Sequence, residues 1–322
     1  MLADPRVKQA MEEWRLIAPG LGFDAESFHH RLVWQKQEPD RSHIVVRLVG
    51  ETHKLILKKV FKPEAHNMKQ SMEMQQKANE HMSGDARFGA PQVLHVSKDG
   101  SLSIMEFVPG KTVNDHLEAG KPAVQFLRRT GAWLASFHSS FQTSHRKFQP
   151  HFMVNHIQRV SEKVEALEVS VPNSDLFLRC CERIPAIADK FHNAKTTVAQ
   201  KHGDMNTRNI LVGPQGVFGL DFAAESSAPV GYDIVRFLMD YAELFQDPSD
   251  VKRGQILAAK TTNGFFKGYD VVGSEDPAVS FLPFVQILND WRIIPAKSEA
   301  RSLRQSRRLA VIQVLAEKGF MV

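Results

Sequence analysis

Asp204, Asn209 and Asp221 lie in two short segments, His202-Gly203-Asp204-Met205-Asn206-Thr207-Arg208-Asn209 and Gly219-Leu220-Asp221-Phe222. Asn209 follows Asp204 by five residues and Asp221 follows it by seventeen. Between them, Asn209-Ile210-Leu211-Val212 and Val217-Phe218-Gly219-Leu220 read as short strands around the turn Gly213-Pro214-Gln215-Gly216. One loop and one hairpin can thus present a carboxylate and two further oxygen ligands. Phosphoryl transfer from ATP calls for such a set. Its transition state spreads charge over the phosphoryl oxygens, so the protein mainly positions groups and supplies positive charge. A carboxylate must face the acceptor hydroxyl, and magnesium takes carboxylate, amide and phosphate oxygens.

The elements that must hold these residues change character along the chain. Residues 4–17 read as a helix stopped by Ala18-Pro19-Gly20. Strand-like runs follow at 31–34, 44–49 and 55–61, an antiparallel meander. Residues 68–82 read as a helix ending at Ser83-Gly84-Asp85, and the runs 93–96 and 102–107 flank the hairpin signal Lys98-Asp99-Gly100. Pro109-Gly110 then breaks the chain. Helical patterns dominate afterwards, at 124–141, 151–169, 174–193, 231–246 and 250–268, interrupted by the hairpin of 209–220. The expected class is α+β. A small antiparallel-sheet lobe (1–106) is joined by a linker near 106–110 to a larger, mainly helical lobe (107–322) that carries the hairpin as an insert.

Composition narrows the function classes. The chain has 322 residues, 43% hydrophobic and 24% charged, enough for a sizeable core. No run of 18 apolar residues and no secretion-signal layout is present. The only cysteines, Cys180 and Cys181, are adjacent, which argues against a disulfide framework or a cysteine zinc site and fits a reducing cytoplasm. A net charge of +5 permits an anionic ligand without calling for nucleic acid.

The 202–221 segment resembles the aminoglycoside phosphotransferase and choline kinase family, a branch of the bilobal protein-kinase-like fold, which reads HGDxxxxN followed by an Asp after a short hairpin. His202, Gly203, Asp204, Asn209 and Asp221 match it. The resemblance implies that Asp204 accepts or orients the hydroxyl proton, that Asn209 and Asp221 bind Mg2+, and that His202 shapes the loop. It implies a phosphate-binding lysine on the third strand, Lys58 in preference to its neighbour Lys59, held by a Glu on the following helix, Glu73 with Glu80 as competitor. In Leu102-Ser103-Ile104-Met105-Glu106-Phe107-Val108-Pro109-Gly110 it implies backbone contacts from Glu106 and Val108 to adenine, with Met105 behind the ring. Asp233 in Gly231-Tyr232-Asp233 would cap or brace the catalytic loop.

One segment departs from the family. Residues 35–43, which should cover the phosphates, contain no glycine. Ser42 would stand in for the family's loop serine, with Lys36 or Arg41 adding charge. His138, Phe281, Phe284 and Trp291 read as core, and the basic run 301–308 as a solvated helix face. After Asp221 there are 12 acidic and 12 basic residues, so no bias towards a polycationic acceptor emerges.

The expectation is a cytoplasmic kinase using ATP and Mg2+ to phosphorylate a hydroxyl of a small molecule: a sugar, amino sugar or amino alcohol. No membrane or nucleic-acid partner is expected. The alternatives are a non-catalytic nucleotide-binding module and a protein kinase. His202-Gly203-Asp204 in place of His-Arg-Asp, and Asp221-Phe222-Ala223 in place of Asp-Phe-Gly, disfavour the protein kinase.

Overall fold

The computed structural model describes residues 4–37, 42–62 and 65–322. The chain divides into two compact units, Met1–Lys111 with Leu211–Glu225, and Thr112–Ile210 with Ser226–Val322.

The first unit opens with α1 (Pro5–Ile17), whose Asp4 cap accepts from the Arg6 N–H and whose first position is a proline with no donor to lose. A five-stranded sheet follows: β1 (His29–Gln37), β2 (Ser42–Val49), β3 (Lys54–Lys62), then α2 (Ala65–His81), β4 (Phe88–Gly89), β5 (Val93–Val96) and β6 (Leu102–Glu106). β4 lies outside that sheet, whose order is β1-β2-β3-β6-β5 with every pair antiparallel. The period of two decides what each face does. Ile44, Val46 and Leu48 of β2 and Leu55 and Leu57 of β3 pack with Trp14 of α1 and Phe28. On the other face, Ile56 and Val60 of β3 join Met105 of β6 and Met68 and Met72 of α2. The unit ends at β7 (Lys111–Thr112), which spans the boundary.

The second unit is mostly helical. α3 (Val113–Glu118) starts with a reciprocal capping box between Thr112 and Asp115. Next come α4 (Ala123–Ser140), β8 (Ser144–Lys147), α5 (His151–Glu165), α6 (Ser174–Ala188) and β9 (Lys195–Gln200). The chain then contributes the hairpin β10 (Ile210–Gly213) and β11 (Gly216–Gly219) and returns as β12 (Ser227–Pro229), α7 (Gly231–Phe245), α8 (Ala259–Phe266), α9 (Pro277–Arg292) and α10 (Leu303–Phe320). Trp133, Phe137, Phe237, Phe265, Phe281 and Trp291 are fully buried. α4 and α8 approach closely, since a Cβ on Gly131 would lie 2.3 Å from the Phe265 carbonyl oxygen.

One reading of the sequence is corrected, and two strand pairings were not foreseen. The hairpin of 209–220, taken as an insert in the helical lobe, clusters from Leu211 onward with the first unit. Its β11 pairs in parallel with β4 through Val217 and Phe88, a contact with no local sequence signal. The helix expected over 250–268 forms only from Ala259. Gly254 there takes a φ of +79° and donates to the Lys318 carbonyl, which fixes a non-helical path. The sheet β12-β9-β8 was not foreseen, because its strands are short and two of them flank helices.

Candidate active site

The loop after β9 presents Asp204 and Asn209, and two acidic side chains of α7 hold it. Asp233 accepts the N–H of His202 at 2.7 Å and of Gly203 at 2.9 Å. Its Oδ2 also lies 3.2 Å from His138 Nε2, while His138 Nδ1 lies 2.8 Å from the Tyr269 hydroxyl. Burial opposes charge on Asp233 most strongly. The His138 hydrogen bond, the charges of His138 and His202 and the Gly203 N–H outweigh it and hold the carboxyl below its usual value. Asp240, two turns further along α7, accepts the N–H and the hydroxyl of Thr207 at 2.9 and 2.6 Å.

With its ends fixed, the loop turns Asp204 outward and folds Asn209 back on it. Asn209 Nδ2 donates to the Asp204 carbonyl at 2.9 Å and to Asp204 Oδ2 at 3.0 Å. Asn206 supports the turn, donating to the Asp204 carbonyl at 3.0 Å and accepting from the Arg208 N–H at 2.9 Å. Asp204 is exposed and Asn209 buried. No donor reaches Asn209 Oδ1 among the described residues, so the atom a hard cation would take is left available.

In the first unit, Lys58 Nζ donates to Asp221 Oδ1 at 2.6 Å. Asp221 has a φ of +55°, a left-handed conformation that Asp tolerates better than most side chains and that often marks functional sites. β3 has two adjacent lysines, and strand alternation separates their roles. Lys59 points to the α1 face, where Glu13 and Ser101 receive it at 2.8 and 2.7 Å. Lys58 takes the opposite face. The expected Lys58–Glu73 pair is absent: Glu73 is exposed, and the partner of Lys58 is Asp221. Instead α2 reaches the Asp221 segment through Ser71, whose hydroxyl donates to the Phe222 carbonyl, and through Lys77, which pairs with Glu225.

The linker is arranged from β6 onward. The Glu106 N–H is spent on the Gln92 carbonyl at 3.0 Å and its Oε1 on the Gln92 N–H, so the amide of Glu106 has no donor left for a base. The Val108 N–H meets no acceptor among the described residues. Met105 is buried beside Met68 and Met72, with its sulfur 3.8 Å from Gln75 Nε2. Ser42 is buried and accepts from Arg6 at 3.2 Å, which ties it to α1. Arg41, with Glu38, Pro39 and Asp40, lies outside the described residues.

The sequence model of the phosphotransferase enzyme family matches residues 33–264. The chain belongs to that family.

Solved structures share the phosphotransferase's fold at low identity. Spectinomycin phosphotransferase in complex with ADP and spectinomycin aligns at 13% identity and a TM-score of 0.54, over 96% of this chain and 93% of that one. Amicoumacin kinase in complex with AMP-PNP and Ca2+ aligns at 15% and 0.55, over 97% and 95%. Choline kinase from Cryptosporidium parvum aligns at 13% and 0.56, over 98% of both chains. The α+β, protein-kinase-like architecture expected from the sequence is thus shown. A search of curated proteins returns no significant match. No helix among the described residues is long and apolar enough to cross a membrane.

Two other readings of the phosphotransferase sequence change in detail. Asp233 braces the loop but does not cap α7: the cap position is Val230, and Asp233 sits within the first turn with its carboxylate on the 202–203 backbone. The basic run is a solvated face only in part: Arg307 is exposed, but three of its arginines have partners. Arg301 donates to the Pro295 and Ala296 carbonyls, Arg304 to Asn114 and Glu118, and Arg308 to Glu243. Asp240 and Thr207 were missed. The signal was the seven-residue step from Asp233 to Asp240, two helical turns on one face of α7.

Proposed function

We propose that the chain is a kinase that uses ATP and Mg2+ to phosphorylate a hydroxyl of a small molecule, with the first unit handling the nucleotide and the second supplying the base and the acceptor pocket. The observation that carries this reading is the loop geometry. Asp204 stands exposed on a turn whose neighbouring backbone is anchored by Asp233 and Asp240, with the Asn209 amide 3.0 Å from its carboxylate. Family membership over 33–264 supports the reaction class. The nucleotides in spectinomycin phosphotransferase and amicoumacin kinase support ATP as donor.

In this reading Asp204 takes the proton of the acceptor hydroxyl as its oxygen bonds to the γ-phosphorus. The bond from that phosphorus to the β,γ-bridging oxygen breaks, and ADP leaves. Lys58 contributes positive charge to the phosphates, and the Val108 N–H and the Glu106 carbonyl face the edge of the base. Asn209 through Oδ1 and Asp221 through its carboxylate would hold Mg2+, which when bound neutralises phosphate charge. The donor set fits: an amide oxygen and a carboxylate are hard oxygen ligands, and magnesium bound with a nucleotide takes most of its other ligands from phosphate and water. Ser42 and Glu73 contribute least, given their Arg6 contact and exposure.

The test is a phosphoryl-transfer screen with labelled ATP over sugars, amino sugars, amino alcohols and aromatic alcohols, with and without Mg2+. Magnesium-dependent label on a small alcohol is expected. Label on peptides alone, or none on any acceptor, would contradict the reading.

A further inference from the structure

Thr207 lies on the loop between Asp204 and Asn209, and it is held from two sides. Asp240 of α7 takes its N–H and its hydroxyl. On the other side the Thr207 carbonyl accepts the backbone N–H of Asn114 at 2.8 Å. Asn114 is the second residue of α3, so its N–H is one of the donors that a helix start leaves without an intrahelical partner. α3 spends that donor on the loop.

A helix of six residues has little stability of its own, so its neighbours decide where that N–H points. Arg304 of α10 is the neighbour that grips it. Its Nη2 donates to Asn114 Oδ1 at 3.0 Å and its Nη1 to Glu118 Oε1 at 3.3 Å. Asn114 and Glu118 are four residues apart and share one face of α3, so a single planar guanidinium spans a full turn. The two contacts differ in weight. The Glu118 pair is half exposed, and such pairs contribute little to stability. Asn114 is buried, where its amide oxygen needs a donor. Arg304 is itself on an anchored element. Arg308, one turn on, donates to Glu243 at 2.6 Å and lies 3.3 Å from Asp290, both of them buried. Glu243 belongs to α7, three residues after Asp240. One face of α10 therefore reaches both helices that hold Thr207.

We propose that Arg304 is a positioning residue for phosphoryl transfer. Acting through Asn114, it fixes the Thr207 carbonyl and with it the placement of Asn209 against Asp204. The proposal rests on the reading of Asp204 and Asn209 given above and extends it to a helix about 100 residues further along the chain.

The experiment uses the full chain and two readouts. The first is hydrogen exchange without nucleotide. Arg304→Ala is expected to speed exchange at least tenfold in peptides covering 112–118 and 203–209, while α4 stays within twofold of wild type. Unchanged exchange in both peptides, or equal acceleration in α4, would overturn the proposal, the second outcome marking a general loss of stability. The other readout is ADP release from MgATP, with water and each of the screened small alcohols as acceptor. Arg304→Ala and Asn114→Ala should each lower kcat at least fivefold and leave the KM for ATP within twofold, since a small misplacement of reacting groups acts on the transfer step. The double variant should lose no more than either single one, because both cut the same link. Asn114→Asp keeps an oxygen acceptor for Arg304 and should retain at least half of the wild-type kcat. Arg307→Ala, exposed on the same helix, should change nothing. Additive losses in the double variant, or equal changes in kcat and KM, would overturn the proposal. Asn114→Ala leaves α10 intact and tests the same link where Arg304→Ala does not fold. Absence of turnover by wild type with every acceptor would fail the kinase reading, while exchange at 203–209 still decides whether Arg304 holds the loop.

Discussion

Asp240 Oδ2 receives both the backbone N–H and the hydroxyl of Thr207, at 2.9 and 2.6 Å. A carboxylate on the third turn of α7 thereby fixes the residue two places before Asn209. Hydrogen bonds to a charged group contribute about 1.5–3 kcal/mol each. Asp240→Ala is expected to lower unfolding free energy by about 2–3 kcal/mol, read by urea titration, and to lower kcat more than the KM for ATP. Thr207→Val removes only the hydroxyl contact and should show the smaller effect on both.

Burial is the largest single influence on the Asp233 carboxyl and opposes its charge, but His138, His202 and the Gly203 N–H together outweigh it and hold the carboxyl below its usual value. A depressed carboxyl contributes stability that is fully present above its unfolded value, near 3.8, and is lost as the pH falls through the lower folded value. Unfolding free energy should therefore be insensitive to this group from pH 5 to 8 and should fall on the acid side of about pH 4. Asp233→Asn should destabilise at pH 7 by about 3–5 kcal/mol and flatten the acid limb of the stability profile. An unchanged acid limb in the variant would contradict the assignment.

Lys58 and Lys59 are adjacent and face opposite sides of β3. Lys58→Met is expected to raise the KM for ATP at least tenfold with little change in thermal midpoint. Lys59→Met, which strips Glu13 and Ser101 of a buried cation, should lower the thermal midpoint and leave the KM for ATP within twofold. Glu73→Gln should change neither by more than twofold, because Glu73 is exposed and Lys58 is on Asp221. Steady-state kinetics and thermal melts on the three variants separate these roles.

Gly213 at the end of β10 lies against the linker so closely that a Cβ would sit 2.0 Å from the Pro109 carbonyl oxygen. Such a contact forces the backbone to move. Gly213→Ala is expected to displace the segment that carries the Val108 N–H, raising the KM for ATP severalfold while the acceptor KM stays near wild type. Equal effects on both substrates would point to general unfolding.

The sequence revealed most of the framework because local signals and tertiary packing agree there. The meander of β1 to β3 alternates apolar and polar residues. Proline and glycine mark its ends, and Asp204 and Asn209 sit at the family's spacing on one loop. Contacts set by distant packing were not legible. Lys58 meets Asp221 and not Glu73, and the hairpin that carries Asp221 is placed by the Val217–Phe88 pairing and by Gly213 packing on Pro109, both between residues far apart in sequence. Arg304 and Arg308 read as a solvated stripe, since their partners Asn114, Glu118 and Glu243 are far away in sequence. Gly254 delays the start of the expected helix to Ala259 by a backbone angle that the residue type permits but does not announce.

The central claim is that Asp204 acts on the acceptor proton. Its most direct test is single-turnover phosphoryl transfer by Asp204→Asn, with nucleotide affinity measured separately on the same preparation. A positioned general base contributes about 10²–10⁴-fold, so the transfer rate should fall by that factor while the Kd for MgATP stays within twofold and the fold is retained. Transfer at the wild-type rate by a folded, nucleotide-binding Asp204→Asn would contradict the account.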